Sequence, residues 1–425
     1  MRNLLERIQQ WLDTLSDTQK RLVLVALLLT AALVIGFIIY WVFFRSLLGP
    51  DEQKVNINGQ LVNVSQLPTI IDNFNGVIPE NVNVTLPQVD AVANGGNTLS
   101  QIIYDNDAQA VTLSGNGENV QYYDPITDQF YTIDQNGNVT LLDEAKFPGV
   151  TDVTWSNEAD KAVLELDDGF KVLYDFTQDK QYTLNKDMDE FDFAPNDNQI
   201  SFEFTPVNEE DRWLGVANTD GSGALGIEPL GENADLVNAQ WSPSGQSVGV
   251  LHEYVDGERQ RVVPLGFKGE NFKQFLVNGR GFDYTWTTDG QQMLYSVYSA
   301  ESNYNDTLYL VDSYGDQIGQ NNRSLGLNTS VDKCTFSGGG DSLYCAVPVD
   351  PPVGGGIAPD TLNEVAHDIY KVDLVTGQTQ KIASPADSNG ETDLEAPSTI
   401  VVSEDENVLY YRESESGRLR RILLN

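Results

Sequence analysis

The sequence predicts an all-β chain folded as a β-propeller behind one N-terminal membrane-spanning helix. Three observations predict it. One uncharged apolar run lies near the start, an aromatic-plus-turn phrase recurs through the rest of the 425 residues, and no amphipathic helical run of useful length follows the apolar one.

Residues 1–21 come first and read as a cytoplasmic amphipathic segment. Leu4, Leu5, Ile8, Trp11, Leu12 and Leu15 recur at helical spacing, and Ser16 with Gln19 fits a capping box for the helix that follows. Trp11 suits a membrane interface, so the segment is expected to lie on the inner leaflet, with packing on a partner as the alternative.

Residues 22–44 (LVLVALLLTAALVIGFIIYWVFF) hold 23 residues without a charge, enough to cross a hydrocarbon core of about 30 Å. Sixteen of them are Leu, Ile, Val or Phe. Insertion is thereby favoured by ~5–10 kcal/mol; a buried core helix is the competing reading. No small-residue cleavage site or lipid-accepting cysteine follows, so the segment reads as a retained signal anchor. Arg2, Arg7, Lys20 and Arg21 precede it while Arg45 and Lys54 lie close behind, which keeps the N-terminus in the cytoplasm and exports the remainder, to the periplasm or the cell exterior.

Residues 45–97 are rich in Asn, Pro and Val and read as an exported stalk or linker, with one hairpin at VNI-NG-QLVNV (55–64). Beyond Arg45 the chain carries 20 basic against 60 acidic residues. Such a surface repels phosphate backbones, so nucleic acid is not expected as a partner. A solubilising coat, adaptation to high salt and loose cation binding all fit this composition.

Residues 98–425 carry the repeat. Aligning the residue before each polar turn gives Tyr104-DNDAQ, Trp155-SNEAD, Phe193-APNDN, Trp241-SPSGQ, Trp286-TTDGQ, Phe336-SGGGD and Val402-SEDEN, at separations of 51, 38, 48, 45, 50 and 66 residues. These are propeller-blade spacings. Pro243 presets one turn dihedral and Gly245 suits the last turn position; a strand rich in β-branched and aromatic residues follows each turn. One such sheet cannot bury both faces, so neighbours must stack with the aromatic anchors between them. Seven blades is the expected count, with six or eight open because the end units are degenerate and a β-sandwich pair as the competing architecture. The last unit has three strands (STIVVS, NVLYYRES, RLRRILL), so a strand from around 98–113 or earlier is expected to complete it and remove an exposed edge.

Cys334 and Cys345 are the only cysteines. They flank CTFSGGGDSLYC, whose four-residue turn sets them opposite one another across a hairpin, at a Cα separation that suits a disulfide. Export permits it, and a ring of this size stabilises by about 3 kcal/mol. Two buried thiols are the alternative; a zinc site would need more than His252 and His367.

Catalytic motifs are weak. Gly245-Gln-Ser247-Val-Gly249 satisfies G-x-S-x-G, but the serine falls in a strand after a turn and not on a strand-to-helix elbow. Gly221-Ser-Gly223-Ala-Leu-Gly226 satisfies G-x-G-x-x-G without a following helix and reads as a hairpin loop. Asp105-Asn-Asp107, Asp134 to Asn138 and Asp167-Asp168-Gly169 offer oxygen ligands for Ca²⁺, yet none completes a twelve-residue loop, and turn chemistry accounts for them. No catalytic set, metal or cofactor is therefore expected. Long insertions at 347–368 and 384–397 are either binding loops or tolerated additions.

The aromatic-Ser-Pro-x-Gly phrase followed by a strand resembles the WD40-like repeats of TolB-type propellers over about 330 residues. LGENADLVNAQWSPSG (230–245), NGRGFDYTW (278–286) and DKCTFSGGGDSLYCAVP (332–348) resemble uncharacterised single-pass, membrane-anchored propeller proteins of candidate-phylum bacteria. The resemblance implies a propeller and carries no activity; the apolar segment and the lack of a separate N-terminal domain set the chain apart from soluble TolB-type proteins. The expected function is a non-enzymatic platform for a protein partner or surface ligand on the exported side. A hydrolase or lyase with carboxylates in the central channel is the alternative, and converging carboxylates of raised pKa would be its mark.

Overall fold

The computed structural model describes residues 89–425 except Asn271, together with the strands Lys54–Ile57 and Gln60–Asn63. The expected cytoplasmic segment, membrane span and most of the stalk lie outside the described residues, and among the described residues no helix is long and apolar enough to cross a membrane. The two short strands pair as an antiparallel hairpin, Val55 opposite Val62 and Ile57 opposite Gln60, in the expected register. They belong to a unit (1–83) separate from the propeller (84–425).

Seven sheets make up the propeller, six of four strands and one of five. Blade 1 spans 109–141, blade 2 150–183, blade 3 188–229, blade 4 237–278, blade 5 280–324, blade 6 334–386 and blade 7 397–423. The first strand of each blade is innermost: Val150–Trp155 touches both Gln109–Leu113 and Met188–Phe193 of its neighbours, and Cys334–Phe336 touches Pro397–Val402. Seven apolar clusters lie between the sheets, each joining two adjacent blades. Between blades 1 and 2, Phe130 meets Phe147, Trp155 and Phe176 edge-on at centroid distances of 5.4, 5.2 and 5.1 Å. Burial of such faces is what a lone sheet cannot achieve, so the interfaces hold the ring together.

A single turn geometry repeats seven times after the innermost strands. Its first N–H bonds back across the turn, and the N–H three residues on donates to the first carbonyl at 2.7–2.9 Å: Gly117 to Ser114, Ala159 to Ser156, Asp197 to Ala194, Gly245 to Ser242, Gly290 to Thr287, Gly340 to Ser337 and Glu406 to Ser403. Each of these donors has φ between 49° and 73°. Gly, Asp or another residue forced left-handed therefore marks the turn, as the repeated phrase anticipates.

One anchor falls elsewhere. Tyr104 lies on the strand Gln101–Tyr104, which pairs with Leu419–Leu423 and completes blade 7; the residue before the first turn is Leu113. The Asp105-Asn-Asp107 stretch copies the composition of a repeat turn, but Asp107 accepts from Gln109 and from Arg412, and no left-handed residue follows at the required place. Trp155, Phe193, Trp286, Phe336 and Val402 end innermost strands, and Trp241 directly precedes its turn.

Closure uses the N-terminal strand that the sequence requires, with one addition. Asn97–Leu99 runs parallel to the outer strand of blade 6 before the chain crosses to blade 7. Residues 89–97, read as the end of the stalk, thus belong to the propeller: Ala93 N–H donates to Leu423 and Gly95 N–H to Ile382.

Candidate functional site

The seven turns crowd one end of the ring. Asp197 accepts from the Asn157 and Glu158 N–H groups of the next turn at 3.0 Å, Gly290 packs on Ser244, and Gly117 and Gly338 both pack on Glu404. Inter-blade connections and the longer loops therefore gather at the other end.

There the innermost strands are bulged, at Asp189/Asp192 in blade 3, Arg280/Asp283 in blade 5 and Pro397/Thr399 in blade 7. A bulge turns consecutive side chains toward the same side. In blade 3 it presents Glu190, at φ 52°, with Glu203 beside it on the adjacent strand; in blade 5 it presents Asp283.

Blades 5, 6 and 7 enclose a cavity of about 380 Å³ at this end. Asp283, Ser296 and Asp306 come from blade 5, Ser330, Asp332 and Lys333 from the connection into blade 6, and Ser398 and Ser414 from blade 7. The expected insertion 347–368 supplies its roof through Gly356, Pro359, Asp360, Leu362 and Asn363. That roof is fixed: Gly354 and Gly356 N–H groups donate to the Asn303 and Tyr304 carbonyls at 2.9 Å, and Ala396 N–H from the second insertion donates to Asn363 at 2.8 Å. The Asn363 amide also reaches Glu415 at 2.7 Å. The first insertion thus roofs the cavity, and the second braces that roof through Ala396.

Its electrostatics are uneven. Burial, with Asp332 and Asp283 adding repulsion, raises Asp306 to about 6. Asp283 is also raised, first by burial and then by Asp332, against one N–H from Tyr284. Asp283 and Asp332 are exposed to water while standing inside a protein-walled mouth. The single amine in the cavity, Lys333, is only 8% exposed and donates to the Pro397 carbonyl at 2.7 Å; burial lowers its pKa. None of these three aspartates makes an ion pair among the described residues, and Lys333 acts on Asp332 only as a nearby charge. Among the described residues no three His, Cys, Asp or Glu side chains stand close enough to share a metal ion.

A second carboxylate group lies in blade 3. Glu203, 4% exposed, has an Oε1 without a protein partner, and burial followed by Glu190, Asp189 and Asp235 raises it to about 8. Glu190 is raised by burial and then Glu165, Asp152 and Asp189. Lys171 is committed to Glu165 and Asp189. Tyr284 lies near both groups, its hydroxyl without a partner among the described residues and its pKa raised by burial, then Asp192 and Asp283.

The remaining candidate residues have local explanations. Cys334 and Cys345 are directly opposed and joined by a disulfide, with a Cα separation of 4.1 Å. Ser247 opens the strand Ser247–Tyr254 and is buried. Gly221 and Gly223 form the hairpin loop between Trp213–Asn218 and Leu225–Pro229. Asp134 accepts from the Asn136 and Asn138 N–H groups and Asp168 from Phe170, which is turn bonding. His367, buried, is held through Nδ1 near the Val365 carbonyl. Sequence reasoning missed Asp283, Asp306, Asp332, Lys333, Glu190 and Glu203. The phrase NGRGFDYTW held one signal, an Asp following two glycines in a strand otherwise aromatic.

The chain is a seven-bladed β-propeller. No family model matches it, and no curated protein matches it. Among solved structures it is similar to the β-propeller domain of Cps50 (Swd1) from Myceliophteria thermophila, at 13% identity and TM-score 0.51, covering 78% of this chain and 100% of that one. It is similar to the hydrazine synthase of Kuenenia stuttgartiensis at 13% identity and TM-score 0.50, covering 75% and 96%. A manganese complex of oligogalacturonate lyase matches at 12% identity and TM-score 0.46, covering 77% and 90%. At these identities the likeness is one of fold.

Proposed function

We propose that the chain is a non-enzymatic binding platform, anchored by residues 22–44 with its propeller on the exported side of a membrane, and that the cavity of blades 5–7 receives a cationic group of a protein partner or surface ligand. The observation that carries this reading is the set Asp283, Asp306 and Asp332 under a fixed roof, with the cavity's amine turned to a backbone carbonyl. An incoming ammonium or guanidinium supplies an ion-pair partner and lowers the cost of ionising Asp306.

The test is calorimetric titration of the full-length chain with N-acetyl-lysine amide and N-acetyl-arginine amide, with N-acetyl-glutamine amide as the neutral control. The cationic probes should bind, Asp306→Asn should weaken them about tenfold, and affinity should fall as pH drops through about 6, where Asp306 takes up its proton. Equal binding of all three probes removes the reading. One observation favours a hydrolase or lyase instead: an acid raised to about 6 and an amine of lowered pKa share one cavity, the poise used for proton transfer. Turnover abolished by both Asp306→Asn and Lys333→Met would establish that alternative.

A further inference from the structure

A groove of about 850 Å³ lies between blades 4 and 5, and the reading above does not use it. We infer that it is a binding site for a neutral saccharide chain, stacked on Tyr298 and Tyr304 and hydrogen-bonded by Asn278, Asn322, Arg280 and Glu301. Four tyrosines line the groove. Tyr295 and Tyr309 stack on each other at 5.1 Å, and the Tyr295 hydroxyl donates to Asn322 Oδ1 at 2.9 Å, leaving the Asn322 amide hydrogens for a ligand.

Tyr298 and Tyr304 carry the argument, because both are held rigidly with ring surface to offer. Tyr304 is 41% exposed although it sits at φ 58°, next to Asn303 at φ 53°. Two successive left-handed residues other than glycine are costly and persist only when their surroundings impose them. Here the Tyr304 N–H donates to Ser299 at 2.7 Å and its carbonyl accepts from Gly356 at 2.9 Å, so the blade 6 insertion fixes the backbone that carries the ring. Tyr298 is seated on two glycines: a Cβ at Gly281 would lie 2.5 Å from its Cε1, and one at Gly356 would lie 2.7 Å from its Cβ. Those glycines also line the carboxylate cavity, so Tyr298 is the wall between the two sites.

The polar rim selects the ligand class. Glu258 and Glu301 oppose Arg259 and Arg280, and Arg259 is already paired with Asp256, so the groove offers no net positive charge to a phosphate or uronate. The chain's net charge of −38 disfavours anions further. The Arg280 Nε is occupied by the Gly257 carbonyl, while its terminal nitrogens make no ion pair among the described residues. Flat amphipathic rings flanked by mixed donors and acceptors match sugars, whose C–H faces stack and whose hydroxyls both donate and accept. A proline-rich peptide also stacks on tyrosines but lacks donors for Glu258 and Glu301.

The experiment is saturation-transfer NMR and calorimetry on the full-length chain with cellotetraose, maltotetraose, chitotetraose and a proline decapeptide. At least one tetrasaccharide should bind, Tyr304→Ala should weaken it tenfold or more, and Tyr304→Trp should restore it. Tyr304→Ala should still bind the cationic probes, so failure here and failure of the cation site are separate results. Absence of binding to all three tetrasaccharides, binding of the decapeptide alone, or a Tyr304→Ala variant that folds and binds like the parent overturns the inference.

Discussion

Replacing Glu203 with Gln removes a carboxylate that the fold holds at a disadvantage. Its pKa rises from 4.5 to about 8 on folding, through burial first and then the charges of Glu190, Asp189 and Asp235. Because the folded value is the higher one, the folded state holds the proton where the unfolded state has lost it. Stability from this group is therefore complete below pH 4.5 and declines as pH rises to about 8. At ~1.4 kcal/mol per pH unit, the ceiling at pH 7 is about 3 kcal/mol. Gln keeps the shape without the charge, so Glu203→Gln should melt about 6 °C above the parent near pH 7, at roughly 2 °C per kcal/mol for a domain this large. Near pH 5 the two melts should converge. The assay is differential scanning calorimetry of both proteins from pH 5 to 8.5. A variant destabilised equally at both ends of that range would refute the reasoning, since Glu203 would then be contributing a contact and not a suppressed charge.

Three further outcomes follow from the fold. Reduction of the Cys334–Cys345 disulfide, which closes a loop of separation 11, should cost about 3 kcal/mol, read as a lower Tm in reductant and two added thiols by titration. Gly245 and Gly290 occupy the same turn position at φ 72° and 65°, but a Cβ meets open space at the first and the Ser244 backbone at the second. Gly245→Ala should cost about 1 kcal/mol and Gly290→Ala clearly more, by urea denaturation. Trp155→Phe should cost about 1 kcal/mol beyond Trp241→Phe, because the Trp155 indole donates to Ala110 of the preceding blade at 2.8 Å whereas the Trp241 indole has no partner among the described residues.

The ring was legible because its turns impose a local rule. A left-handed residue four places after an anchor leaves Gly, Asp or a strained substitute in the sequence, and six of the seven anchors can be read that way. Leu113-Ser-Gly-Asn-Gly117 escaped because an aliphatic anchor before a glycine-rich turn looks like any hairpin, while Tyr104 offered the aromatic that the pattern favours. The carboxylate cavity was hidden for another reason. Asp283 and Asp306 lie on different strands of blade 5 and Asp332 on the segment leading into blade 6, and only the folded sheets bring them together; among 63 acidic residues, no local feature distinguishes them. The insertions were visible, but their role depends on hydrogen bonds to Asn303, Tyr304 and Asn363, which no spacing reveals.

Pairing of Gln101–Tyr104 with Leu419–Leu423 also sets a timetable for biogenesis. The ribosome makes the first of these strands more than three hundred residues before its mate, so during elongation each completed blade can dock on the previous one while the seam stays open. Nascent chains stalled short of residue 419 should accumulate as partly stacked species in which the blade 7 seam is still open.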